Sequence, residues 1–387
     1  NVCMQSGDWD SGSTWSGGIP SGSQDVVIPS GYTVTLSGAS ASLNSLTNSG
    51  TLIFTNWDAK VTAVKVEIQG TVTLPPAFED GVMSNRVNFD CDNFTLAASG
   101  MINAKGKGYR GGNTNDVIPS GHGPGKGIHD ADNPAWGGGG AGHGGKGGKG
   151  FWGAGGGTYD LTNAPTLPGS GGAGCSYTME GAAGGGAVRI VASDTVTIDG
   201  TITADGNDTD YASGGGSGGS IHITCNTFAG SSGGLLTASG GAGYTGSRGA
   251  GGGGGGRIAV IYDPVSQGLA SKPGVRFDVG MGIGVRWMLE GAFNPDMIEV
   301  IGTLYLPDAA LFKSPCDNLD DVRVYGVSNW VIDTLVATSC AVRFAEPEFR
   351  LAVNNTMGIG TGAIFQAGSE FDTMLYHEVS CRDLVLT

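Results

Sequence analysis

The sequence has little charge. Asp, Glu, Lys and Arg make up 14% of its 387 residues, against roughly 25% in an average soluble domain. Basic residues number 20 and acidic ones 35, for a net charge of −15. Nucleic acid is thereby excluded as a partner, because phosphate contact needs clustered Lys and Arg. Lys105, Lys107, Lys126, Lys146 and Lys149 are too diluted by glycine to form such a cluster. No apolar run reaches the ~18 residues of a membrane helix, so no membrane span is expected. Helix-period segments with caps are missing throughout, and the chain reads as all-β. The seven cysteines (Cys3, Cys91, Cys175, Cys225, Cys316, Cys340 and Cys381) show no zinc-type spacing.

Glycine, by contrast, fills 74 positions. It comes in runs rather than at every third position, which excludes collagen. The runs form a ladder between Gly184 and Tyr262 in which one unit is written three times. Gly184-Gly185-Gly186 leads into Ala187-Val188-Arg189-Ile190-Val191-Ala192. Gly214 to Gly219 leads into Ser220-Ile221-His222-Ile223-Thr224-Cys225, and Gly251 to Gly256 into Arg257-Ile258-Ala259-Val260-Ile261-Tyr262. Each glycine run feeds a short strand of period-two alternation. A second echo follows in Ile202-Thr203-Ala204-Asp205-Gly206 and Leu236-Thr237-Ala238-Ser239-Gly240, and appears upstream as Ile102-Asn103-Ala104-Lys105-Gly106. A unit repeated at roughly thirty residues that cannot bury its own apolar face is the mark of a solenoid. The expectation is a β-solenoid with Val188, Ile190, Ile221, Ile223, Ile258 and Val260 stacked inward.

Three regions follow in order. Residues 1–20 are polar and glycine-broken, and read as an end cap in which Trp9 and Trp15 cover the open end or reach a neighbouring chain. Residues 21–265 carry the solenoid, with a glycine-rich insertion at 109–183. That insertion is either a disordered loop or extended polyglycine packed on the solenoid, where glycine alone lets backbones approach closely. Its aromatics Trp136, Phe151, Trp152 and Tyr159 favour the packed version as anchors. Residues 266–387 read as further coils or a β-sandwich.

One stretch carries a resemblance. Trp15-Ser16-Gly17-Gly18-Ile19-Pro20 followed by Asp25-Val26-Val27-Ile28-Pro29-Ser30-Gly31-Tyr32-Thr33-Val34-Thr35-Leu36 resembles the opening of secreted β-helix proteins with the eight-glycine domain. The glycine ladder is similar to glycine-rich, pectin-lyase-like surface proteins. The resemblance implies a right-handed parallel β-helix.

Candidate sites are sparse. Carboxylates cluster at Asp90-Cys91-Asp92, at Asp130-Ala131-Asp132-Asn133 and at Asp208-Thr209-Asp210, and His122, His129 and His143 lie near the second cluster. Asp and Asn favour turns because their side chains bond nearby backbone, and that explains most such clusters. Asp130, Asp132, Asp208 and Asp210 otherwise suit a structural calcium ion through hard oxygen ligands. No catalytic residue, and no cofactor other than that calcium, is assigned. Sequons place possible glycans at Asn93, Asn207 and Asn354. Cys316 and Cys340, about one coil apart, are the best-placed disulfide pair. Cys91 and Cys225 should not join if a coil containing Ala192 lies between them. The odd cysteine count gives Cys3 a reason to bond across chains, with Trp9 and Trp15 in the same contact.

A start at Asn1 without methionine suggests removal of a signal, hence export to the cell surface. The expected function is a secreted structural protein that polymerises head to tail into a filament, sheath or coat, its partner being itself. A polysaccharide lyase or hydrolase, or an adhesin for surface glycans, is the alternative.

Overall fold

The computed structural model describes residues 1–113, 119–130, 137–175, 179–246, 249–284, 300–337, 340–361, 363–367 and 378–386. Its strands pair in parallel, and each addition to a sheet comes from a later part of the chain. A thirteen-stranded sheet follows the path Asp25–Ile28, Ala39–Asn48, Lys60–Ile68, Val87–Leu96, Ala187–Ala192, Ser220–Thr224, Arg257–Ile261, Thr303–Tyr305, Val322–Tyr325, Ala341–Phe344 and Ile364–Ala367, with two short strands beside it. A nine-stranded sheet takes the segments between these, from Gly7–Asp8 to Leu319–Asp320. Asn329–Ala337, Arg350–Ile359 and Glu378–Leu386 form a third. Along most of its length the chain thus alternates between sheets.

Alternation in the sequence becomes columns in space. In the second sheet Val34, Leu52, Val72, Ile102, Ile202, Leu236, Phe277 and Leu319 occupy matching register positions, and all eight are fully buried. In the first, Val188, Ile221 and Ile258 pair in register, as do Ile190, Ile223 and Val260. The six positions expected to stack inward do so. Burying each such side chain contributes ~1.5–3 kcal/mol. Cys91 pairs with Ala192 on the adjacent strand, and Cys91 and Cys225 are separate thiols.

The sheet edge that begins the stack is covered. Val2 bridges Val27, and Gly7–Asp8 adds a two-residue strand beside Thr33–Leu36. Trp9 and Trp15 meet edge to face at 5.0 Å, and the Trp15 indole N–H donates to the Trp9 carbonyl at 2.8 Å. Further along lies a helix that the sequence reading missed, Pro264–Leu269, capped by the Asp263 side chain on Ser266 N–H. Its Gln267 amide exchanges two hydrogen bonds with the backbone of Phe228, closing that strand's free edge. Among the described residues no helix is long and apolar enough to cross a membrane.

The glycine runs are ordered, and they are not strands. Successive amides of Gly138 to His143 point in three directions in turn. Gly138 and Ala141 donate to the carbonyls of Ala212 and Gly215, Gly139 and Gly142 to Ile128 and Gly125, and Gly140 and His143 to Gly148 and Gly145, all at 2.8–3.1 Å. Gly214 to Gly219 repeats the scheme, reaching Ala173 and Ser170, then Gly251 and Gly254, then Asn207 and Ala204. Donors three apart find acceptors three apart, which is the period of the extended three-residue helix of polyproline II. Isolated, that helix has unpaired backbone; bundled, each segment satisfies its neighbours on several sides. A side chain at Gly140 would overlap the Gly252 carbonyl, and one at Gly215 the Gly241 carbonyl.

Candidate functional site

Within the bundle, the larger residues gather into one buried polar network. His143 has no exposure, and its Nδ1 lies 2.9 Å from the Gly218 carbonyl. Nδ1 therefore carries the proton, and Nε2 faces Asp160 Oδ2 at 3.6 Å without a hydrogen bond. Asp160 sits at φ +69° and accepts from the backbone N–H of Leu161, Thr166 and Leu167. Arg257 threads between them, donating to the carbonyls of Tyr159 and His143 and to the hydroxyls of Thr162 and Thr303. Ser170 Oγ donates to Tyr159 Oη, which donates to the Pro168 carbonyl.

Burial, helped by Arg257 and opposed by Asp160, holds the His143 imidazole below its ordinary value. Burial alone would raise Asp160, but the His143 contact and the Leu167 and Leu161 amides leave its carboxyl lowered. Histidine, aspartate and serine together suggest hydrolytic chemistry, yet Ser170 is hydrogen-bonded to Tyr159 and His143 is sealed. No substrate reaches this pair. Its chemistry is that of a tie between glycine segments.

The other expected groups disperse. His122 Nδ1 lies 3.3 Å from Asp80, and His129 Nδ1 lies 2.9 Å from the Asp130 carbonyl, so the three histidines do not converge. Asp132 and Trp136 lie outside the described residues. Asp90 pairs with Lys60 at 3.4 Å and Asp92 accepts from Ser193 Oγ at 2.7 Å. Between them, burial and then the two flanking carboxylates push the Cys91 thiol up to about 12. Among the described residues no group of three or more His, Cys, Asp or Glu is placed to hold a metal ion.

Asp208 and Asp210 line an open cleft of about 410 Å³ together with Arg110, Glu180, Asn207 and Tyr211. Asp208 Oδ1 accepts from Ala242 N–H at 2.7 Å, the turn role that its residue type favours. Arg110 is engaged by Glu79 at 2.9 Å. Three carboxylates against one occupied guanidinium is the wrong balance for gripping a uronate polymer.

Among the sequons, Asn93 lies in the strand Val87–Leu96 in register with Lys65. Asn207 is packed against Gly106. Asn354 is exposed, at a register shift in Arg350–Ile359, and donates to Asp333 at 2.8 Å. Cys3, Trp9 and Trp15 are 1%, 1% and 4% exposed, and the Cys3 thiol donates to the Gln5 carbonyl. The apolar surface sought by the two tryptophans is supplied by their own chain. A contact between chains through these three side chains would require the cap to open.

The cap and the first turns coincide with a recognisable unit. Residues 14–91 match the family model of the G8 domain. The match runs from the cap residue Thr14 to Cys91 on the strand Val87–Leu96. It includes the stretch whose resemblance to eight-glycine proteins is visible in the sequence, and it ends before the glycine bundle. Comparisons with curated proteins and with solved structures return no match.

Proposed function

We propose that this chain is a secreted structural protein, a right-handed parallel β-helix that assembles head to tail into an extracellular filament, sheath or coat. The observation that carries this reading is the continuous parallel register of the buried columns, joined to a bundle whose glycines are fixed by backbone contacts. Such a body is stiff, and its recognisable His–Asp pair is consumed internally. We divide it into a cap at 1–20, a β-helix at 21–265 holding the glycine segment 109–183, and a further β region at 266–387.

A parallel sheet can always accept another strand at its outer edge, and a second copy is one source of it. The cap also exposes Val2, Met4 and Ile19, 37%, 59% and 49% accessible, and we place the subunit contact there rather than at its buried tryptophans. Negative-stain microscopy of the purified protein should show fibres, shortened or abolished by Met4→Asp combined with Ile19→Asp. Uniform short particles at every concentration tested would refute assembly.

A glycan-directed role has the cleft at Asp208 and Asp210 as its support. Sugar release from polysaccharides, lost in Asp208→Ala, would replace the structural reading with an enzymatic one.

A further inference from the structure

Cys316 and Cys340 lie at the starts of strands in different sheets. Cys340 immediately precedes Ala341–Phe344 of the first sheet, and Cys316 precedes Leu319–Asp320, the last strand of the second. Both are held by backbone hydrogen bonds, Cys316 N–H to the Val336 carbonyl at 2.7 Å and the Cys340 carbonyl from Ile364 N–H at 2.8 Å. They are 1% and 2% exposed, and both are free thiols rather than the disulfide expected from the sequence. Their thiols interact directly: donation from Cys316 lowers Cys340, and the same contact raises Cys316. Three of the other described cysteines are placed differently. Cys3 donates to the Gln5 carbonyl and Cys91 to the Val191 carbonyl, while burial pushes Cys225 up to about 12.

We propose that Cys316 and Cys340 are a dithiol site that low-molecular-weight disulfides oxidise to a cross-link between consecutive turns. One cysteine's thiolate attacks the oxidant's S–S bond and expels one thiolate, leaving a mixed disulfide. The other cysteine loses its proton, attacks the protein sulfur of that mixed disulfide and expels the second thiolate. Two protein thiols are oxidised and one small disulfide is reduced to two thiols. Persistence of the link in life requires an oxidising compartment, and to that extent rests on the extracellular reading.

The test equilibrates the reduced, folded, full chain with oxidised glutathione, alkylates it in denaturant and maps peptides without reduction. The expected result is a Cys316–Cys340 peptide pair with the other five cysteines alkylated. Oxidation should raise the thermal midpoint by about 2–5 °C, and Cys316→Ser and Cys340→Ser should each remove that rise. Alkylation of both cysteines in the wild-type map, or linkage of either to another cysteine, would overturn the proposal. The wild-type map needs no variant to fold. Because the reaction is run on purified protein, it is independent of cell fractionation, which tests secretion separately.

Discussion

In the sheets, a strand buries alternate side chains on one face and satisfies its backbone against two neighbours in one plane. In the glycine bundle, a segment buries almost no side chain, and its amides leave in three directions to as many neighbours. The sheets draw on apolar burial and the bundle on hydrogen bonds and close approach, although the same chain feeds both within each ladder unit. Ser220 to Thr224 continues directly from Gly214 to Gly219. The glycines carry a large conformational entropy cost. They persist because the strand at the end of each run is anchored in a packed column.

Substitutions should separate the two regions, beginning where the effect is largest. Gly140→Val drives a branched side chain into the Gly252 backbone, which cannot rotate away. Its cost should exceed the ~1–3 kcal/mol of ordinary overpacking, and the variant should lose the bundle's amide protection. Ile223→Ala, in a fully buried column, should lower unfolding free energy by ~2–5 kcal/mol in denaturant titration. A cost from Gly140→Val no larger than a surface change would dissolve the contrast.

Acid should act on the bundle first. The His143 value in the fold is below its ordinary 6.5, so its contribution is present above that pH and fades as pH falls from there toward the folded value. Asp160 is lowered below its ordinary 3.8, so its contribution is lost only in more acid solution, as pH falls through its folded value. Hydrogen exchange near Gly218 should therefore quicken, after correction for intrinsic rates, below about pH 6.5 while the columns stay protected. His143→Gln should flatten that dependence. The smallest effect belongs to Gly157→Ala, where a methyl group meets nothing within 4 Å, and stability should shift by no more than about 0.5 kcal/mol.

The same contrast explains what could be read in advance. Strands such as Thr33–Leu36 and Ala187–Ala192 are legible because period-two alternation records which side chains face inward. The three-way pattern at Gly138 to His143 leaves no such record, since glycine looks identical whichever way its amide points. Tyr159 and His143 were visible as residues in a glycine segment, but the fold that joins them to Arg257, more than ninety positions away in sequence, was not. Asp263-Pro264 did carry a helix signal, an N-cap followed by proline at the first turn, and the short length of Pro264–Leu269 hid it. Trp9 and Trp15 announced an apolar contact without saying whose surface would provide it.

Amide hydrogen exchange resolved to single residues tests the central claim most directly, because it compares the two regions within one sample. The bundle amides of Gly138 to Gly142, Gly214 to Gly219 and Gly251 to Gly256 should be protected to an extent comparable with Val188, Ile221 and Ile258. Exchange of those glycines at the rate of an unfolded chain, beside protected strands, would show that the bundle is not held by its backbone.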